Sequence, residues 1–269
     1  MSTNVALESK VEQPATHLHV REAGPRGAPA IVFLHGSPLS GRMWQPEFDL
    51  LRDLHLIAPD LPGHGSSAGV PLTTLRDVAE KVAVIIRRSV PEGRAHVVGL
   101  SYGGAVAQGL MVHFPEVVDH VILSGAPTRL PDWLLWLGGL NEPVLRVFKP
   151  EQLARIISLQ FGVPSRFLDL LREDLQSFSS RTLLSVLKTY AEIEMPSAFR
   201  SPVLVSVGQK ENFIAKSSAR KLTREIPGAR GVMAPGGGHV WSMGKPELFS
   251  QMVRAWIAAE PLPALLGPL

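Results

Sequence analysis

Ala95-His96-Val97-Val98-Gly99-Leu100-Ser101-Tyr102-Gly103-Gly104-Ala105 is the stretch on which the reading of this chain turns. Ala95 to Val98 is a short apolar run of strand character, and a helix-forming stretch begins at Ala105 and continues to Val112. Between them Ser101 stands with glycine two residues away on either side, at Gly99 and Gly103. A turn this sharp brings strand and helix backbones together, leaves no room for side chains at the flanking positions and strains the central residue. The arrangement displays a serine hydroxyl above the end of a strand. It also aims the backbone N–H of Tyr102, at the start of the helix, at negative charge developing beside Ser101. Taken alone, such a junction also serves close strand-helix contact or phosphate binding.

Outward from this elbow the chain alternates. Leu18 and Val20 read as a half-exposed strand. Ala30 to Leu34, Leu56 to Ala58, Val121 to Leu123, Val203 to Val207 and Gly231 to Ala234 read, like Ala95 to Val98, as short strands buried on both faces. Amphipathic helical patterns lie between them, clearest at Leu75 to Arg87, Ala105 to His113, Ser218 to Ile226 and Glu247 to Ala258. Strand-helix alternation implies an α/β fold, a mostly parallel sheet flanked by helices. From Pro127 to Arg200 the alternation stops and only helical patterning remains, which reads as a helical insertion between two strands. Its position just past the strand after the elbow favours a lid over a second small core. The tail from Pro261 to Leu269 is apolar and proline-rich, and no role follows from its sequence.

Composition narrows the chemistry. The 269 residues include no cysteine, which excludes disulfides, thiolate nucleophiles and cysteine-ligated metals. The net charge of +3 comes from scattered basic residues such as Arg87-Arg88 and Arg220-Lys221, with no long block, so nucleic acid is not expected as a partner. No apolar signal core lies within the first twenty residues, and no stretch reaches the ~18 apolar residues of a membrane span. A cytoplasmic protein is the expectation.

A serine hydroxyl is a weak nucleophile at neutral pH and needs a base, which in turn needs an orienting acid. In a doubly wound sheet such partners follow later strands on the same rim. His239 in Pro235-Gly236-Gly237-Gly238-His239 meets that demand, with glycines that allow a mobile imidazole to approach. Among the nine histidines, His17, His19 and His113 read as surface positions and His55, His96 and His120 as strand-edge residues. Glu211 follows the strand ending at Val207 and is the expected acid; Asp132, after the strand ending at Leu123, is the alternative. Gly36 permits a bend that turns the Ser37 N–H toward Ser101, which with the Tyr102 N–H gives two donors for an oxyanion. His35 and His64 read as structural.

Four motifs in order, His-Gly-Ser-Pro at 35–38, Asp-Leu-Pro-Gly-His-Gly-Ser at 60–66, Gly-Leu-Ser-Tyr-Gly-Gly at 99–104 and Gly-Gly-His at 237–239, resemble the α/β-hydrolase superfamily from about residue 17 to 258. The resemblance implies an eight-stranded sheet, a Ser-acid-His triad, a core domain of residues 1–126 and 201–269, and a helical cap at 127–200. The stretch at 35–44 is similar to the esterase, perhydrolase and lactonase-like branches, and Ser101 argues against those whose nucleophile is Asp. Glu211 departs from the pattern, since most members carry Asp there. The expected function is hydrolysis of a carboxylic ester, thioester or lactone with a hydrophobic acyl or aryl part, through an acyl-enzyme on Ser101. Trp133, Trp136, Phe148, Phe161 and Phe167 are available in the cap for such a substrate. No metal or organic cofactor is required, and the oligomeric state stays open. C–C bond hydrolysis or a lyase reaction by the same triad is the alternative, and a non-catalytic receptor or scaffold the third reading.

Overall fold

A computed structural model describes residues 17–131, 133, 136 and 147–269. Eight strands form one sheet: β1 (Val20–Ala23), β2 (Ala30–Leu34), β3 (His55–Pro59), β4 (Ala95–Leu100), β5 (Val118–Ser124), β6 (Val203–Gly208), β7 (Arg230–Ala234) and β8 (Gly267–Pro268). Their spatial order is β1-β3-β2-β4-β5-β6-β7-β8. Strands β2 to β7 pair in parallel, whereas β1 and β8 lie antiparallel at the two edges. The eighth strand corrects the sequence reading of the tail. Gly267 pairs with Met233 and Pro268 with Val232, so the C-terminal residues cover the edge of β7. A two-residue strand containing proline has no periodicity to reveal it, and proline is tolerated there because an edge position spares its missing N–H.

The continuous apolar runs follow from burial on both faces of the sheet. Alternate residues feed two cores: Val32, Leu34, Val97, Leu123 and Val205 lie on one side, and Ile31, Phe33, Val98, Ile122 and Leu204 on the other. The described helices are α1 (Gln45–Leu50), α2 (Leu75–Ser89), α3 (Tyr102–His113), α4 (Pro150–Phe161), α5 (Leu168–Ser177), α6 (Ser180–Ala191), α7 (Phe213–Glu225), α8 (Trp241–Gly244) and α9 (Pro246–Ile257). Helix α2 shows the sequence logic. The Thr74 side chain accepts from the Asp77 N–H at its start, Leu75, Val78, Ala79, Val82 and Ile86 make one buried stripe, and Arg87 and Arg88 close it. Helix α7 begins five residues before the expected Ser218, because Asn212 caps it through Ala215 N–H. The exposed Phe213 and Ile214 in its first turn hide that start from a pattern search.

Helices α4, α5 and α6 lie between β5 and β6 in the chain. Leu153 and Ala154 of α4 and Leu171 and Leu175 of α5 join the second core, while Val186 of α6 joins the first, with Tyr190 against it. Arg42 ties α5 down: its guanidinium pairs with Asp174 at 2.8 Å and Glu173 at 2.6 Å, and Asp174 also accepts from the Ser40 N–H at 2.8 Å. None of the described helices is long and apolar enough to cross a membrane.

Candidate active site

Ser101 joins β4 to α3 with φ 52° and ψ −114°, a conformation that costs a non-glycine residue on the order of 1–3 kcal/mol and persists only where its surroundings impose it. Here they do. A Cβ on Gly99 would lie 2.4 Å from Gly103 O, and one on Gly103 would lie 2.1 Å from Leu34 O, so the strand, the helix and β2 interlock at glycine. The Ser101 N–H donates to Ser124 O at 2.9 Å, and the Ser101 carbonyl accepts the first intrahelical bond from Ala105 at 3.1 Å. Tyr102 is the first helical residue, so its N–H has no acceptor within the helix.

The loops after β6 and β7 are built against one another. The Gln209 N–H donates to Ala234 O, the Lys210 N–H to Gly237 O and the Gly236 N–H to Gln209 Oε1, all at 2.8–2.9 Å. A Cβ on Gly208 would lie 2.2 Å from Gly238 O. Gly208 thus permits close approach of the two loops, while among the glycines before His239 a Cβ on Gly237 would lie 2.9 Å from the Trp241 Cβ and Gly236 has φ +65°. The approach sets Glu211 Oε2 2.6 Å from His239 Nδ1, while Glu211 Oε1 accepts from the Gly208 N–H at 3.0 Å. The Glu211 side chain is almost fully buried and His239 about one-fifth exposed. A carboxylate so held fixes the ring tautomer with its proton on Nδ1 and leaves Nε2 as the free, basic nitrogen. Asn212, next in sequence, uses its side chain to cap α7.

The loop after β2 approaches from the other side. A Cβ on Gly36 would meet the Ser101 Cβ at 3.3 Å. Two buried histidines brace this loop. His35 Nε2 accepts the Leu61 N–H at 2.8 Å; His64 Nδ1 donates to Pro62 O at 2.9 Å, and its Nε2 accepts from the Ser37 hydroxyl at 2.9 Å. Burial holds both rings neutral, pushing His35 down to about 4 and His64 to about 3. His64 also stacks on the fully buried Tyr102 ring at 5.6 Å.

Ser37, Ser101 and His239 line one cleft with Leu100, Phe161 and Leu171. Its free volume is about 10 Å³, close to what one water molecule needs. Phe161, at the end of α4, lies 5.3 Å from the His239 ring, centroid to centroid. Tyr190 of α6 lies near enough to the Ser101 side chain for the two to interact.

The model of the Alpha/beta hydrolase family matches residues 31–252. The chain belongs to this family. Among relatives, the hydrolase is 27% identical over 250 residues to an AB hydrolase superfamily protein of Gibberella zeae, covering 88% of this chain and 83% of that protein. It is 28% identical over 251 residues to a pimeloyl-[acyl-carrier protein] methyl ester esterase of Nitrosomonas europaea, covering 86% and 96%. A thermophilic esterase from Thermogutta terrifontis shares its fold, with a TM-score of 0.78 at 24% identity over 90% of this chain and 93% of the other.

Of the residues singled out from sequence, the hydrolase brings Ser37, Ser101 and His239 to one cleft and sets Glu211 behind His239. Asp132 lies outside the described residues. His55, at the start of β3, is fully buried and pairs with Glu22 at 2.8 Å. Of the cap aromatics, Phe161 lines the cleft, whereas Trp133 and Trp136 are exposed. Tyr190, one apolar position of a helical pattern, and Gly125, where a Cβ would lie 3.0 Å from the His239 ring, are site residues that the sequence did not signal.

Proposed function

We propose that this hydrolase cleaves a carboxylic ester, thioester or lactone with a hydrophobic acyl or aryl part, with Ser101 as nucleophile, His239 as base and Glu211 as triad acid. The observation that carries the reading is the 2.6 Å contact from Glu211 to His239 Nδ1 on the rim that bears the strained Ser101. In the first half-reaction the Ser101 Oγ attacks the carbonyl carbon as His239 Nε2 takes its proton. The tetrahedral oxyanion is held by the N–H groups of Ser37 and Tyr102, an interaction on the order of 3 kcal/mol per donor. The C–O or C–S bond then breaks, His239 returns the proton to the leaving alcohol or thiol, and an acyl group stays on Ser101. Water deacylates it by the same route, with His239 again the base. Glu211 stays ionised throughout and stabilises the imidazolium.

Supporting the hydrophobic substrate, the cleft is walled by Pro38, Leu39, Ile157, Val163 and Val240. Residues 127–200 act in this reading as a cap on a core of 1–126 and 201–269. A cleft this narrow takes an ester when its walls give way, and Ile157 and Phe161 of α4 are cap side chains among those walls.

The test is hydrolysis of p-nitrophenyl esters of increasing acyl length by wild type, Ser101→Ala and Glu211→Gln. Loss of turnover in Ser101→Ala with a strong decrease in Glu211→Gln is expected, and the best chain length sizes the acyl pocket. Folded wild type inert toward every ester and lactone tried overturns the reading and directs attention to C–C bond cleavage.

A further inference from the structure

At the ends of β4 and β5 remote from Ser101 the two strands pair out of step. Ala95 lies opposite Val118, but Val97 lies opposite Val121, so His96 alone faces two residues, Asp119 and His120. Adjacent residues of a regular strand point to opposite faces; a bulge breaks that alternation and re-aims a side chain. The outcome is a convergence of three metal-binding side chains. His120 Nδ1 lies 3.0 Å from Asp119 Oδ1, and His96 Nδ1 lies 3.9 Å from Asp119 Oδ2. The two imidazoles meet edge to face at 5.1 Å. One donor atom from each residue falls within 4.8 Å of the others, and among the described residues no other group of histidine and carboxylate side chains does this. All three are partly exposed.

We propose that His96, Asp119 and His120 bind a single divalent transition-metal ion of the zinc type, in a structural role. Two imidazoles and one carboxylate suit such an ion, while calcium and magnesium prefer all-oxygen shells. Bond lengths of ~2.0–2.2 Å place tetrahedral donors roughly 3.3 Å apart, so the 3.9 Å between His96 Nδ1 and Asp119 Oδ2 has to shorten. Asp119, the most exposed of the three at 45%, has the freedom to close it, and water completes the shell. A competing account makes His96 a patch for the bulge, its Nδ1 accepting the His120 N–H at 3.3 Å. That explains His96, and a hydrogen bond joins His120 Nδ1 to Asp119 Oδ1; neither explains why the acceptor Nδ1 of His96 faces Asp119 Oδ2 at 3.9 Å, two lone-pair bearers that a cation would bridge. β4 runs on to Ser101 and β5 to Gly125, so the ion fastens the two strands that lead into the active site from their far ends, without touching the reaction.

Titration of the full-length, chelator-stripped protein with zinc chloride and with nickel chloride, followed by calorimetry and thermal denaturation, tests this. One equivalent is expected to bind, with a Tm that climbs with zinc concentration. His96→Asn and His120→Asn should each weaken binding ~10-fold or more, since even indirect partners of metal ligands matter that much; His113→Asn should bind as wild type. Should either variant fail to fold, histidine ring NMR of the wild type decides: zinc is expected to shift the His96 and His120 resonances and leave His239 in place. Absence of binding, binding that survives both variants, or zinc that shifts His239 and not the pair overturns the proposal.

Discussion

Gly125 lies directly against the His239 ring: a Cβ at this position would come 3.0 Å from both Nδ1 and Cε1, and 3.3 Å from Glu211 Oε1. The residue follows β5 with φ +53°, and its N–H is fixed to Ser206 O at 2.9 Å, so the backbone has little latitude to retreat. Gly125→Ala is expected to tilt the imidazole. Displacements of about 1 Å at a catalytic group cost up to ~100-fold, and we expect kcat/KM on the best p-nitrophenyl ester to decline by at least ~10-fold. Urea unfolding should show a loss of ~1–2 kcal/mol, the cost of a left-handed non-glycine residue. Unchanged kinetics would mean that the ring has slack where the structure shows contact.

Acid sensitivity is expected from the two histidines behind the oxyanion loop. Burial is the main cause in both, lowering His35 to about 4 against the attraction of Asp60, and His64 to about 3 with repulsion from His35 added. Both are neutral when folded, whereas unfolded histidine titrates near 6.5. The unfolded state therefore binds more protons below pH 6.5, and stability declines as pH falls from 6.5 toward about 4. A shift of this size corresponds to ~3 kcal/mol for His35, and the two contributions do not add because the rings interact. Unfolding free energies at pH 7, 5.5 and 4.5 should reveal the slope. His64→Gln should flatten it, and because it removes the acceptor of the Ser37 hydroxyl it should also lower kcat at pH 7.

Tyr190 approaches Ser101 from the helical segment, and burial pushes its phenol above the ordinary tyrosine range, with the Ser101 side chain opposing the shift. We expect Tyr190→Phe to lower kcat/KM roughly fivefold, the equivalent of one neutral hydrogen bond of ~1 kcal/mol. A merely structural role would alter the Tm instead and spare the kcat-to-KM split, so both are measured.

Glu47 in α1 is buried, and neither carboxyl oxygen has a hydrogen-bond partner among the described residues. Burial raises its pKa well above the carboxylate range, with Glu247 adding repulsion. A raised acid favours folding below its unfolded pKa and loses that advantage as pH climbs through the folded value. Glu47→Gln keeps the shape and abolishes the titration, so its Tm should exceed that of wild type at pH 9, with a smaller difference at pH 6. A lower Tm at both would show that the carboxyl has an unrecognised partner.

Much of this architecture was legible in the sequence because burial on both faces writes itself as continuous apolar runs. Six strands followed from that pattern and β1 from the half-exposed alternation at Leu18 and Val20, but β8 did not, since two residues at an edge leave no periodicity. Ser37, Ser101, Glu211 and His239 were legible because an elbow and loops after strands bear recognisable glycines and fixed order. Tyr190 and Gly125 were not, for they act through three-dimensional approach from a segment remote in sequence. The out-of-step pairing of β4 and β5 was equally hidden: Asp119 and His120 precede the apolar run at Val121 to Leu123, and only the pairing of the strands brings them opposite His96.

The helices between β5 and β6 divide their allegiance, α4 and α5 to one side of the sheet and α6 to the other. Such a segment is not a detachable module. A chimaera that grafts these helices from a relative has to match two independent surfaces and the Arg42–Asp174 clasp at once, so recombination within the family should succeed when the graft travels with its matching Ser40–Arg42 turn and α3 face and fail when it travels alone.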